Sequence, residues 1–397
     1  MTGMNINKHG KVDDTVKAPI VRNPGLKKLL IIVFSVFLGV VCLLTIGLNI
    51  KTLASDLLNI RSSGAEATIA DFEADFNEGL AGKECFIDIF GGVVNLADMD
   101  FVRDTDYSYS VIKDNHGNLQ FMTFEAELPE IVRSIDQYTA LDVPIIYVQP
   151  PKKYIEGYTE FPAAINDQSD ENADEIMEFL QEKNIPALDL RSAASEELDP
   201  DTIFYSTDHH WTTQTAFWAV GKTVDFVRET VGLDLDPRKY YMNIDNWTQE
   251  LHEDAFLGSQ GRRVGRLYGG VDDFTLIYPK FETDYYITGL KDDAEAEGSF
   301  NEAILEDGLL DFSDSVWTNH YAGYWGGDYS KVTVDNRLND DGSNILLIKD
   351  SYGLPYSAFM STMVDRMTII DLRYFSIGDL SAYVAGSDFD LVILMYE

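Results

Sequence analysis

Residues 345–353 read Ile345-Leu346-Leu347-Ile348-Lys349-Asp350-Ser351-Tyr352-Gly353. Four apolar residues in succession, without alternation, are the pattern of a strand buried on both faces. Beyond it, 354–365 reads as a helix, 367–371 as a strand, 377–385 as a second helix and 390–396 as a further strand. That order is βαβαβ, which requires parallel strands joined by right-handed crossovers. The expected fold class is therefore α/β, in three layers around a central parallel sheet. Upstream, Val143–Val148 (VPIIYV) offers one more buried strand. Amphipathic helices are expected at 122–139, 172–183 and 213–231. The last carries Phe217, Val220, Val224, Val227 and Val231 on one stripe. Residues 235–335 are rich in Gly, Asp and Tyr with weak periodicity, and read as long loops and short strands decorating the sheet.

The chain has 397 residues, with 67 Asp and Glu against 30 Lys and Arg, a net of −37. Such a surface repels nucleic-acid phosphates, so a nucleic-acid partner is not expected. The charge is unevenly placed. Residues 1–51 hold seven Lys and Arg against Asp13 and Asp14, a net of +5, which leaves −42 for the remainder. Between the basic tail and the acidic body runs Leu29–Leu48, 20 residues without a charge. As a helix it spans a hydrocarbon core of about 30 Å. Lys27 and Lys28 precede it, so the positive-inside rule places the N-terminus in the cytoplasm and the body outside. A cleaved signal peptide is the competing reading. The run is longer than the apolar region of such a peptide, and Leu53-Ala54-Ser55 is a poor cleavage site. The expected organisation is a cytoplasmic tail (1–28), a transmembrane helix (29–50), a juxtamembrane linker (51–66) and one extracytoplasmic domain (67–397).

Of the two cysteines, Cys42 lies in the apolar run. Cys85 is left alone outside, so neither an intrachain disulfide nor a cysteine-based metal site is expected there. Glu84-Cys85-Phe86-Ile87 reads as strand-like, with a buried thiol.

Two stretches carry the residue types of chemistry. Ser206-Thr207-Asp208-His209-His210-Trp211-Thr212 precedes the helix at 213, and Ser351 follows strand 345–349. Ligands of open α/β sheets bind at the carboxyl ends of the strands. A serine becomes a nucleophile when a base takes its proton, and the base needs an orienting acid. Ser351, His210 and Asp208 supply all three. Taken singly, Ser351 reads equally as a helix cap, and the histidine pair as a capping or surface contact. Asp-His-His also occurs in metal sites, but the other histidines are isolated, so neither metal nor cofactor is expected. The pairs Asp272-Asp273 and Asp340-Asp341 read as solvated loops or calcium ligands.

Thr207-Asp208-His209-His210-Trp211-Thr212 resembles the signature of the DHHW family of bacterial cell-surface proteins, which is related to the SGNH-hydrolase-like O-acetylation proteins of alginate biosynthesis. Similar to the same family are Phe256-Leu257-Gly258-Ser259, Gly270-Val271-Asp272-Asp273-Phe274, Gly326-Gly327-Asp328-Tyr329, Lys349-Asp350-Ser351-Tyr352 and Ile370-Asp371-Leu372-Arg373-Tyr374-Phe375. The resemblance covers roughly residues 70–397 and implies an SGNH-hydrolase-like fold. Carried over by position, it implies Asp208 as orienting acid, His210 as general base and Ser351 as nucleophile. Lys349 stands where the alginate relatives have glycine.

The activity so implied is O-acetyl transfer to a cell-envelope polysaccharide or exopolysaccharide through an acetyl-serine. A carbohydrate esterase with the same triad and a non-catalytic glycan-binding scaffold are the alternatives. The Ser351 N–H would hold the oxyanion, with Gly326 and Gly327 as the second donor or a plain turn. Arg373 is a candidate substrate clamp or an ion-pair partner of Asp371. Lys152 and Lys153 follow a strand end, as substrate contacts or as surface charge. Tyr352 and Trp211 flank the triad as sugar platforms or as packing. Cytoplasmic acetyl-CoA does not reach a domain outside the membrane, so a multi-span acyltransferase partner is expected.

Overall fold

The computed structural model describes residues 24–58, 65–123, 143–163, 165, 167–339 and 342–397. Most of the helix expected at 122–139, and the pair Asp340-Asp341, lie outside the described residues. The chain divides into two compact units, Met1–Phe86 and Ile87–Glu397.

In the first unit, helix Pro24–Leu48 contains Ile31–Leu48, with a mean hydropathy of 2.8. It is long and apolar enough to cross a membrane. Helices Ile50–Leu58 and Ala65–Glu78 follow. Cys85 corrects an expectation: it lies in helix Lys83–Leu96, and its thiol is exposed. The four residues around it look strand-like, but Phe86, Phe90 and Val93 continue the run at helical spacing, and the longer window decides.

In the second unit, β1 (Phe101–Val102), β2 (Val111–Lys113) and β3 (Leu119–Gln120) form a small antiparallel sheet. Next come β4 (Ile145–Gln149) and β5 (Ala187–Asp189), then the antiparallel hairpin β6 (Trp247–Phe256) and β7 (Asp272–Pro279). The remaining strands are β8 (Tyr285–Thr288), β9 (Glu295–Gly298), β10 (Lys331–Asn336), β11 (Asn344–Lys349), β12 (Arg366–Ile370) and β13 (Leu391–Met395). The central sheet has the order β5-β4-β13-β11-β12-β10-β8-β9. Its first five strands are parallel, as the βαβαβ reading expects. Strands β10, β8 and β9 continue it antiparallel, so the segment expected as decoration supplies part of the sheet.

The parallel strands bury both faces, which is why they read as unbroken apolar runs. On one face Ile345, Leu347, Met367, Ile369 and Ile393 join the core of helices Thr213–Thr230 and Gly353–Met360. On the other, Leu346, Ile348, Ile370, Val392 and Leu394 pack with Ile176 and Leu180 of helix Ser169–Glu182 and with Leu380 and Val384 of helix Ile377–Ala385. Alternate residues of one strand thus serve opposite layers. The helix starting at Thr213 is capped by Thr212, whose hydroxyl accepts the Thr215 N–H at 3.2 Å. This cap sets the chain direction immediately after Trp211.

Candidate active site

Strand β11 ends at Lys349, and the chain turns through Asp350-Ser351-Tyr352 into helix Gly353–Met360. Asp350 tightens the turn: one carboxylate oxygen accepts the Tyr352 N–H at 2.9 Å, the other the Glu397 N–H at 2.8 Å. Ser351 is left partly exposed at the carboxyl end of the strand. Its hydroxyl makes no cap; it lies 2.8 Å from His210 Nε2. His210 Nδ1 lies 2.5 Å from Asp208 Oδ1, which also accepts the His210 backbone N–H at 2.9 Å. The structure therefore brings Ser351, His210 and Asp208 into one hydrogen-bonded relay, with Ser351 and His210 141 residues apart in the sequence. With Nδ1–H directed at the carboxylate, Nε2 presents its lone pair to the serine hydroxyl.

Three further groups hold this relay. Ser259 N–H donates to Asp208 Oδ2 at 2.5 Å. The Tyr321 ring stacks on His210 at 4.0 Å between centroids. Lys153 Nζ donates to the carbonyls of Tyr205, Ser206 and Asp208 at 2.8, 3.2 and 2.7 Å, and to Gln260 Oε1 at 3.1 Å. From the other side Asp272 accepts the Ser206 and Thr207 N–H groups at 2.7 and 2.8 Å. An ammonium and a carboxylate thus clamp the loop that carries the acid and the base. Asp273, the other half of that acidic pair, accepts the Asp254 N–H at 2.8 Å.

The electrostatics follow from burial and neighbours. Burial pushes the Asp208 carboxyl up. His210, then His209, with the His210 and Ser259 hydrogen bonds, reverse this and hold it well below the usual carboxylate range. Burial, then the adjacent His210, lower His209 to about 4. Burial lowers Lys153 to about 8 against the pull of Asp272, Asp208 and Asp114. The ligating atoms of Asp208, His209 and His210 lie within 4.8 Å of one another. Both ring nitrogens of His210 are engaged, so a metal would have to displace Asp208 or Ser351 from it.

The remaining expected residues divide. Trp211 has no exposed surface; its indole N–H donates to Tyr321 Oη and the Tyr352 carbonyl, each at 3.1 Å. No sugar can reach its ring, so of the two expected roles packing is the one that its burial allows. Tyr352 is nearly buried, donates to the His209 carbonyl, and edges a cavity beside His209. Arg373 is bound by Asp371, with Nη2 to Oδ2 at 2.5 Å, and by Asp328 at 2.7 Å. Gly326 and Gly327 adopt φ of 79° and 133°, conformations suited to glycine. They lead into Asp328, which pairs with Lys349 and Arg373. Among the described residues, no hydrogen bond joins either glycine to Ser351 or His210. Lys349 thus fills the glycine position of the alginate pattern with a buried ion pair. Its partner Asp328 is raised by burial and lowered further by Lys349 and Arg373, with a net downward shift.

Ser259 and Tyr321 lie outside the residues expected at the site, while Lys153, expected as a substrate contact or as surface charge, holds the loop of the acid and the base through its carbonyls. Ser259 acts through its backbone, and Tyr321 through a ring contact without a sequence spacing. Only Phe256-Leu257-Gly258-Ser259 carried a signal, as a stretch shared with the DHHW family.

The structure thus sets a Ser-His-Asp relay at the strand ends of a mixed α/β sheet, and the comparisons with known proteins place this fold in the SGNH-hydrolase-like class. Residues 118–259 match the family "SGNH hydrolase-like domain, acetyltransferase AlgX". That match takes in Asp208, His210 and Ser259 and ends before Ser351. Among solved structures, a DHHW family protein from Eubacterium siraeum DSM 15702 is 19% identical, with a TM-score of 0.54 over 75% of this chain and 92% of that one. PatB1 from Bacillus cereus is 17% identical, with a TM-score of 0.56 over 72% of this chain and 95% of that one. PatB1 with a sulfonyl adduct is 16% identical over 72% and 93%, with a TM-score of 0.56. These likenesses establish the fold. No curated protein matches the chain by sequence.

Proposed function

We propose that the chain is a membrane-anchored, extracytoplasmic O-acetyltransferase that acts on a cell-envelope or exopolysaccharide. The observation that carries the reading is the unbroken Asp208–His210–Ser351 relay, with a reachable hydroxyl at its end. His210 takes the Ser351 proton as Oγ attacks the acetyl carbonyl of a donor. The tetrahedral oxyanion forms beside the Ser351 N–H, with Gly326 or Gly327 as the proposed second donor. The donor's oxygen leaves with the proton from His210, giving acetyl-Ser351. A glycan hydroxyl then gives its proton to His210 and attacks the acetyl carbonyl, and Ser351 Oγ leaves with that proton from His210, which restores the free serine and the neutral base.

The family match over residues 118–259 to the domain of an acetyltransferase supports the transfer chemistry. The apolar helix and the basic tail before it support an anchor with the N-terminus inside and residues 67–397 outside. A multi-span membrane acyltransferase is then needed to carry acetyl groups across. The test is O-acetyl release from the envelope polysaccharide of cells carrying the wild type or Ser351→Ala. Loss of glycan acetylation in the variant is expected. Unchanged acetylation with the variant stably expressed contradicts the reading.

A further inference from the structure

Two cavities open along the carboxyl ends of β4 and β5. The inner one, about 100 Å³, is lined by His209, Tyr352, Phe121 and Tyr154 among others. The outer one, about 350 Å³, is lined by Tyr154, Lys152, Arg191 and the carboxylates Glu156, Asp170, Asp174 and Asp189. Tyr154 is a wall of both. Its ring is steadied by Phe161 at 5.7 Å with a 27° interplanar angle. Its hydroxyl has no hydrogen-bond partner among the described residues. The inner space suits an acyl group or a few waters. The outer one falls within the range of about 300–1,000 Å³ that takes small organic ligands such as sugar rings. An aromatic wall with a free hydroxyl is the kind of surface a sugar ring packs on.

The charge of the outer recess is one-sided. Four carboxylates line it against two cations, and both cations are engaged. Arg191 pairs with Asp189 and Asp174, each at 2.7 Å, and with Asp170 at 3.4 Å. Lys152 is buried and faces Glu397 at 3.4 Å. Neither lining cation is left for an acidic sugar, while Glu156 and Asp174 stay exposed, the latter with one carboxylate oxygen not engaged by Arg191.

We propose that this recess holds the accepting glycan strand against Tyr154, and that it selects a strand without acidic groups, favouring one that bears ammonium groups. The inference rests on the O-acetyltransfer reading for the word "accepting", and its test does not. Binding is measured by calorimetry on the full chain in detergent, as Ser351→Ala, so that no chemistry is needed. The probes are tetramers of N-acetylglucosamine, of glucosamine and of galacturonate.

The glucosamine tetramer should bind at least as tightly as the N-acetylated one, and the galacturonate tetramer about tenfold more weakly or worse. Tyr154→Ala should weaken the neutral tetramer about tenfold, and Tyr154→Phe, which keeps the ring, should retain most of the affinity. Glu156→Gln with Asp174→Asn should raise galacturonate binding, while Glu295→Gln with Glu297→Gln, on β9, should not. Equal affinity for all three tetramers, or neutral-tetramer binding indifferent to Tyr154→Ala, overturns the proposal. So does an equal gain from the distant pair, which would make the discrimination a property of the whole charged surface. If this binding order holds while cells carrying Ser351→Ala still acetylate their envelope, the recess stands and the transfer reading falls.

Discussion

Gly258→Ala places a methyl group against the acid of the triad. A Cβ at Gly258 would stand 2.2 Å from Asp208 Cβ and 2.6 Å from Asp208 Cα and Oδ2. Ordinary contact begins near 3.4 Å, so Asp208 or the 258–259 loop has to give by about 1 Å. The Asp208 side chain has nowhere to retreat, since Oδ1 is bound by two His210 groups and Oδ2 by the Ser259 N–H. Moving the loop instead withdraws the Ser259 donor itself. Overpacking of this kind destabilises by about 1–3 kcal/mol, and a misplacement of about 1 Å in a catalytic constellation costs about 100-fold in rate. The variant should therefore fold with a lowered melting temperature and hydrolyse a chromogenic acetyl ester with kcat reduced about 100-fold. Gly221→Ala is the control. It lies in helix Thr213–Thr230 with only Met242 Cε near, at 3.8 Å, and should stabilise by about 0.5–1 kcal/mol with kcat unchanged. Wild-type kcat in folded Gly258→Ala would refute the reasoning, because Asp208 could then be displaced without consequence.

Three more outcomes are expected. Asp208→Ala removes the partner of His210 Nδ1 and should lower acetyl-ester kcat about 10⁴-fold, read in steady-state kinetics. Lys153→Met leaves the carbonyls of Tyr205, Ser206 and Asp208 without their donor. It should cost about 2 kcal/mol in denaturant unfolding and lower kcat more than it raises KM, since the loop that it holds carries the acid and base. His209 titrates near 4 in the folded chain and near 6.5 when unfolded. The unfolded state therefore binds the extra proton between those values, and stability falls as pH drops from about 6.5 to about 4. His209→Gln should flatten that part of the melting-temperature profile.

What could be read in the sequence was what burial writes into side chains. Strands β11, β12 and β13 are covered on both faces, so Ile345–Ile348 and Leu391–Leu394 are unbroken apolar runs. Helix Thr213–Thr230 packs one face on the sheet and shows one stripe. Strand β6 was not legible because most of its residues face solvent or are half-covered, which leaves Gln249, Glu250, His252 and Glu253 with no apolar alternation. In the site, Ser351, His210 and Asp208 were legible because each acts through its side chain. The Ser259 donor was not, because a backbone N–H leaves no mark on residue type. Arg373 and Lys349 are both tied to Asp328, a partner that only the folded chain brings to these strand ends.

The central claim is that Ser351 carries the acetyl group. The full chain is mixed with a chromogenic acetyl ester, quenched in acid and digested, and its peptides are read by mass spectrometry. The account predicts one acetyl group on the peptide containing Ser351, absent in Ser351→Ala and in a chain treated first with a sulfonyl reagent. Ester turnover that persists in Ser351→Ala, or an acetyl group found only on another residue, would contradict it.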